Sequence, residues 1–226
     1  MISILLAGIF FVGIHLLIAG TGVRDRLVGR LGEQGYLALF SLLSLGGISW
    51  LCAAWARSEA VAPGYDWLPL KPLAWVVMFF AFQFVVIGLT TKSPTATGGE
   101  GVLGSEEPAT GILRVTRHPF LWGVALWGLT HLIVNPDLPA LLFFGALTLL
   151  ALLGPASIDA KRARKHGDDW QRFADKTSNL PFAAILAGRN RLALGELGWW
   201  KVAAAALLYG VFLVWLHPLF FAGSAI

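Results

Sequence analysis

The sequence predicts an all-α, polytopic integral membrane protein: one domain over residues 1–226, built as a bundle of about six transmembrane helices. Three observations predict it. Hydrophobic residues make up 57% of the chain and charged residues only 13%, about half the charge fraction of an ordinary soluble domain. The mean hydropathy is +0.71, which leaves too little polar surface to cover a water-soluble globule of this length. Apolar runs of roughly 20 residues, enough to cross a hydrocarbon core of about 30 Å, recur along the chain.

Taken in order, the first run is Met1 to Gly20, which has neither a basic stretch before it nor a small-residue cleavage pattern and so reads as a retained helix. The second spans about 35–55 and the third 72–90. The fourth begins at Pro119 and ends near Val134. Its rise of roughly 24 Å falls short of the hydrocarbon thickness, so the segment before Pro119 is expected to dip inward. The fifth, 139–158, follows the turn Asn135, Pro136, Asp137, and the sixth spans 199–221. Between the third and fourth, residues 92–110 are rich in Gly, Ser, Thr and acids; they read as too polar to pack and hence as a mobile cytoplasmic excursion. Residues 159–198 form a charged cytoplasmic segment: a helical stretch from Asp159 to Lys176, then Ser178, Asn179, Leu180, Pro181 and a short interfacial piece, 182–187.

Basic residues set the orientation, because Lys and Arg near helix ends stay on the cytoplasmic side. The odd loops carry Arg24, Arg26 and Arg30; Lys92, Arg114 and Arg117; and a dense set running from Lys161 to Lys201. The even loops hold only Arg57 and Lys71. The expectation is a bacterial inner-membrane protein with both termini periplasmic. Trp50, Trp55, Trp67 and Trp75 fall near the outer boundary, and Trp199 and Trp200 near the inner one, as an aromatic belt requires. The net charge of +4 is therefore topological. Scattered over separate loops among acids, it gives no nucleic-acid footprint. No nucleotide-binding glycine loop, zinc-protease helix, nucleophile elbow or 20 to 50 residue repeat is present. The lone Cys52 excludes an intrachain disulfide and a multi-cysteine metal cluster, which leaves the five histidines as nitrogen ligands.

His15 is the one ionisable residue in its run, and His131 stands alone in the fourth. An ionisable side chain within a span is costly and is a functional hypothesis by default. The alternative is a neutral imidazole bonded to a carbonyl or hydroxyl of a neighbouring helix, and both readings stand at this point. A haem iron with two axial imidazoles holds their nitrogens about 4 Å apart. His118 and His131, separated by a helix rise of roughly 20 Å, cannot share one iron; His15 must belong to any such pair. Arg114, Arg117 and His118 precede Pro119 at a helix start, where an anion is easily held. They read either as a cytoplasmic-face pocket for a phosphate, carboxylate or cofactor, or as a plain basic flank. Asp159 is placed to pair with Arg117, to accept from a ligand, or to cap. Gln83, Ser41, Ser44, Gly46, Gly47 and Ser49 read as helix-packing residues, and His166, His217 and Cys52 as residues without a chemical role.

These residues resemble the NnrU family of bacterial membrane proteins, whose plant relatives are the 15-cis-zeta-carotene isomerases. The resemblance covers nearly the whole chain. It rests on Gly13 to Leu17 around His15, on Gly32 and Glu33 through Tyr36 to Ser44, and on Thr116, Arg117, His118, Pro119, Phe120, Leu121, Trp122, Gly123 continuing to Leu129, Thr130, His131. It implies haem b in the bundle with His15 and His131 as axial ligands and catalytic residues. On that reading Arg114, Arg117 and His118 would shape its cytoplasmic mouth and pair with the haem propionates, with Asp159 beside them as a further cofactor-binding residue. It further implies isomerisation of a lipid-phase polyene, or a redox role linked to denitrification with a reductase or electron donor as partner. The plant enzymes carry a cysteine three residues before the ligand histidine, where this chain has Gly128.

A second resemblance covers about a third of the chain. Arg117, His118, Pro119, then Asp159, His166, Gly167, Asp168, Asp169, Trp170, Phe173, Leu180 and Pro181 look like the cofactor half of the isoprenylcysteine and phospholipid methyltransferases. That implies S-adenosylmethionine at the cytoplasmic face, with the usual acidic pair reduced to Asp159 followed by Ala160. A non-catalytic assembly factor for denitrification enzymes is the third reading.

Overall fold

The computed structural model describes residues 1–59, 70–135 and 137–221; Trp67 of the aromatic belt and Pro136 of the predicted turn lie outside them. Every regular element among the described residues is helical. The helices are α1 (Ile2–Gly13, continuing as a π-helical turn, Ile14–Ile18), α2 (Gly22–Ala56), α3 (Lys71–Leu89), α4 (Ile112–Val115), α5 (Pro119–Val134), α6 (Leu138–Lys176), α7 (Ala183–Leu186), α8 (Trp199–Val211) and, after a second π turn (Phe212–Leu216), α9 (His217–Phe221). Among the described residues four are long and apolar enough to cross a membrane: Gly22–Ala56, Pro72–Leu89, Leu138–Lys176 and Trp199–Phe220. Ile2–Ile18 and Pro119–Val134 are apolar but shorter. Leu42, Leu45, Leu207 and Leu219 are 64–74% exposed, an outward apolar surface that suits lipid and not water.

The chain forms two compact units, Met1–Leu68 with Gly128–Ile158, and Pro69–Trp127 with Asp159–Ile226. In the first, α1 and α2 form a hairpin. Thr21 caps α2 by accepting from the Val23 amide at 3.3 Å, which starts the helix well before residue 35, where the apolar run begins. The charged first loop is thus helical, and the chain changes direction at Gly32, whose φ of +71° is easily adopted only by glycine. Trp50 ties the far end of the hairpin by donating to Ser3 Oγ at 3.0 Å, and Trp55 stacks on Phe143 of α6 with centroids 4.9 Å apart.

In the second unit, Ile87, Leu103, Ala109, Ile112, Leu113, Val115, Trp170 and Phe173 make the core. Residues 92–110, expected to be too polar to pack, are folded against it. Pro94 and Leu103 are buried, and the Thr95 hydroxyl donates to Arg117 O at 2.8 Å. Glu100 meets Arg162, Lys165 Nζ at 2.5 Å and His166 Nε2 at 2.8 Å. Composition alone misread this segment because its acid is neutralised by the helix that continues past Ile158. Burial and the flanking Lys165 and Arg162 cations hold the His166 imidazole below its ordinary pKa.

Candidate functional site

His15 lies in the π turn that ends α1, and such turns frequently occur at functional positions. Its Nδ1 stands 2.7 Å from Phe11 O, and because a carbonyl can only accept, Nδ1 carries the proton. Nε2 then carries the lone pair, facing the Ser44 hydroxyl of α2 at 3.4 Å, the outer limit of a hydrogen bond. Phe11 and Phe40 flank the ring, with centroids at 4.5 and 5.1 Å. A neighbouring hydroxyl is what a structural histidine would have. The protonated Nδ1 and unprotonated Nε2 also form the tautomer of a metal-binding imidazole whose second nitrogen is held by a backbone carbonyl.

His131, in the same unit, stacks face to face on Phe144 of α6, with centroids 4.6 Å apart and planes 21° apart. One turn earlier, Gly128 lets α5 approach α6. A Cβ there would lie 2.1 Å from Thr148 Oγ1 and 3.4 Å from Thr148 Cβ, so Gly128 leaves no room for a side chain. Gly128→Cys is expected to cost about 1–3 kcal/mol through overpacking. Thr148→Ala removes the colliding oxygen, so the double variant should regain most of the loss. Thermal unfolding of the single and double variants in detergent checks this; a fully stable Gly128→Cys protein would refute it.

Among the described residues no group of three or more His, Cys, Asp or Glu gathers into a metal site. A bare metal ion held by protein ligands alone is not what these residues offer. His15 and His131 each pack against aromatic rings, and an imidazole in such surroundings is a donor that suits haem iron.

The residues before Pro119 gather in the second unit. The Thr116 hydroxyl donates to Asn179 O at 2.5 Å, and Trp122 Nε1 donates to the same oxygen at 2.8 Å. The Arg117 amide donates to Ser178 O at 3.0 Å. These bonds present Arg117 and His118 to Asp159. Arg117 donates to Asp159 Oδ2 from Nε at 2.9 Å and Nη2 at 2.5 Å, and His118 Nε2 donates to Oδ1 at 2.7 Å. The Arg117 guanidinium also lies over the Trp170 ring, 5.9 Å from its centroid. The expected pairing of Asp159 with Arg117 is thus present, and His118 joins it.

At this face, read from sequence either as an anion pocket or as a plain basic flank, the two guanidiniums enter ionic pairs within the protein. Arg114 donates from Nε to Glu196 Oε2 at 2.7 Å, from Nη2 to Oε1 at 3.0 Å and from Nη1 to Asn190 Oδ1 at 2.8 Å. Both guanidiniums therefore have internal acceptors. They lie in the unit that does not contain His15 and His131. Sequence reasoning missed Glu196, Asn190, Asn179 and the Ser44 contact. The only sequence signal for Glu196 is a lone acid between Gly195 and Gly198 in an otherwise basic stretch.

The hydrogen bonds from Arg114 and the Gly111 amide hold the Glu196 carboxyl below its ordinary pKa. A depressed folded pKa contributes stability that is present above the unfolded value of about 4.3 and lost as pH falls through the folded one. The stability gap between the parent protein and Glu196→Gln should therefore be constant above about pH 5 and shrink toward pH 3. Thermal unfolding across that range measures it, and a gap that widens on acidification would refute the assignment.

A family model described as NnrU protein matches residues 3–225. The chloroplastic 15-cis-zeta-carotene isomerases of Arabidopsis thaliana and Zea mays are each 28% identical over 200 residues, covering 84% of this chain and 52% of the relative. The chain thus spans about half the length of the curated relatives it matches. No solved structure matches it. With the family model covering almost every residue of a chain whose described regular elements are all helical, four of them apolar and of membrane length, this protein belongs to the NnrU family.

Proposed function

We propose that this protein is an isomerase-like membrane haem b protein acting on a polyene dissolved in the lipid phase. The observation that carries the reading is the His15 imidazole: the one ionisable group of an apolar helix, with its proton committed to Phe11 O and its Nε2 lone pair turned toward α2. His15 and His131 would hold the iron, Phe11, Phe40 and Phe144 would keep water from it, and Ser44 would orient the first imidazole until the ligand replaces it. When bound, haem supplies an iron centre able to lower the double-bond character of a polyene and ease its rotation.

A groove of about 450 Å³ between α1 and α6 lies in the unit that carries both histidines; Gly8, Val12, Leu16, Leu142, Gly145 and Leu149 are among the residues lining it. Such walls suit a hydrocarbon chain and offer a polar substrate nothing to bond. The names of the plant relatives support the substrate class. The basic loops support a bacterial inner membrane with both termini periplasmic. The S-adenosylmethionine reading gains no support, because the two Asp159 oxygens that would hold the cofactor amine are taken by Arg117 and His118.

The test is an absorption spectrum of the detergent-purified protein, oxidised and dithionite-reduced, with haem quantified as the pyridine haemochrome. A stoichiometric b-type spectrum, followed by reduction-dependent isomerisation of a 15-cis polyene resolved by chromatography, is expected. A colourless protein after expression with ample haem overturns the reading.

A further inference from the structure

We infer that Tyr36 and Arg24 form a carboxylate-binding corner that holds an acid group of the ligand seated on His15. Tyr36 is 3% exposed, and its hydroxyl has no hydrogen-bond partner among the described residues. Buried polar groups are almost always paired, so an orphaned phenol in an apolar bundle indicates a partner that the chain itself does not supply.

Its place on α2 indicates which ligand. Tyr36, Phe40 and Ser44 recur every four residues and so share one face of the helix. Phe40 stacks on Tyr36 at 5.8 Å and meets the His15 ring edge-on at 5.1 Å, while Ser44 faces His15 Nε2. The phenol thus ends a row that begins at the imidazole, about 12 Å of helix rise from Ser44. That row matches a flat apolar ligand bound at one end to Nε2 and carrying a polar group at the other.

The charge at that end is supplied by Arg24. The break at Gly32 separates the first turns of α2 from Tyr36, and the Arg24 guanidinium lies over the Tyr36 ring, 5.3 Å from its centroid. Its own partners are Glu33 at 2.6 Å and Asp25 at 3.5 Å, whose side chains are 51% and 67% exposed. Solvent screens such pairs, so an incoming carboxylate can displace them. Arg114 and Arg117 are not available for this work, since Glu196 and Asp159 already occupy them. A phenolic donor beside a guanidinium is a carboxylate receptor. The inference rests on the haem reading above, in which the acid group is a haem propionate.

The full-length apoprotein in detergent, titrated with haem and with haem dimethyl ester by Soret absorbance, separates the possibilities. The parent should bind the acid about tenfold more tightly than the ester. Tyr36→Phe should lose most of that preference and leave ester affinity unchanged, and Arg24→Gln should act in the same direction. The apoprotein of Tyr36→Phe should unfold at a temperature no lower than the parent, because the hydroxyl removed has no partner in the fold. Equal acid preference in the parent and both variants overturns the corner, as does a destabilised Tyr36→Phe apoprotein. A parent that binds neither porphyrin overturns the haem reading and this inference with it, so the two failures are told apart.

Discussion

His131→Ala is expected to leave the purified protein without haem, and His15→Ala to do the same, with the affinity falling by more than about 100-fold, beyond the effect of losing a supporting residue around a metal. The first unit holds two histidines, and among the described residues no group of three or more His, Cys, Asp or Glu gathers that would replace either as a ligand of the proposed haem. His131 also stacks on Phe144, so its removal opens a cavity, and loss of colour has to be separated from loss of fold. Circular dichroism and gel filtration of the variants make that separation. Added imidazole, which fits the space left by the missing ring, should restore a b-type spectrum to either alanine variant. His118→Ala is the control. His118 bonds Asp159 in the other unit, and its removal should leave the spectrum unchanged. A normal spectrum from His131→Ala would end the ligand assignment.

The parts of the fold that depend on local sequence were legible. The fourth run was expected at 119–134 and is found at Pro119–Val134, because proline suits the first turn of a helix and polar residues follow its end. The apolar run at 35–55 marks only the later part of the second helix, Gly22–Ala56. Its charged first turns look like a loop, yet Thr21 caps them and Arg24 pairs with Glu33 nine residues on. The fifth continues past its apolar run to Lys176, with a kink at Gly167, whose φ is +50°. Its charged half becomes part of the second unit through Glu100, which lies 62 to 66 residues away from the side chains it meets.

The same distinction holds at the site. The Arg117 and Asp159 pair was foreseeable from opposite charges at the ends of neighbouring helices. The Glu196 acceptor for Arg114 is 82 residues distant, and nothing in the local pattern connects them. Tyr36 belonged to a motif yet drew no chemical reading, because tyrosine in an apolar run is ordinary until its hydroxyl is seen to be buried without a partner. Pairing across long sequence separations decides which polar groups are satisfied, and a single sequence does not carry that information.

Asp159→Ala should destabilise the protein by about 3–5 kcal/mol, the cost of removing one partner from a buried, hydrogen-bonded ion pair. Its two oxygens receive three donors, and the groups left behind are poorly placed to recover water: the His118 side chain is 1% exposed and that of Arg117 is 15% exposed. The aromatic face of Trp170 would retain some attraction for the guanidinium, so the loss should fall toward the lower end of that range. Asp159→Asn should cost less than alanine, because its amide oxygen can still accept from Arg117 while its amide nitrogen is left facing the His118 donor. Urea or thermal unfolding ranks the three proteins. The ranking separates a charge requirement from a packing requirement, since asparagine keeps the volume and gives up the charge. If the variants equal the parent within about 1 kcal/mol, the triad behaves as a solvent-screened surface pair, and Arg117 and His118 become available to an external ligand after all. Loss of haem from a folded Asp159→Asn protein would reach the same conclusion by another route, because it would tie this network to the cofactor that the two spanning histidines are proposed to hold.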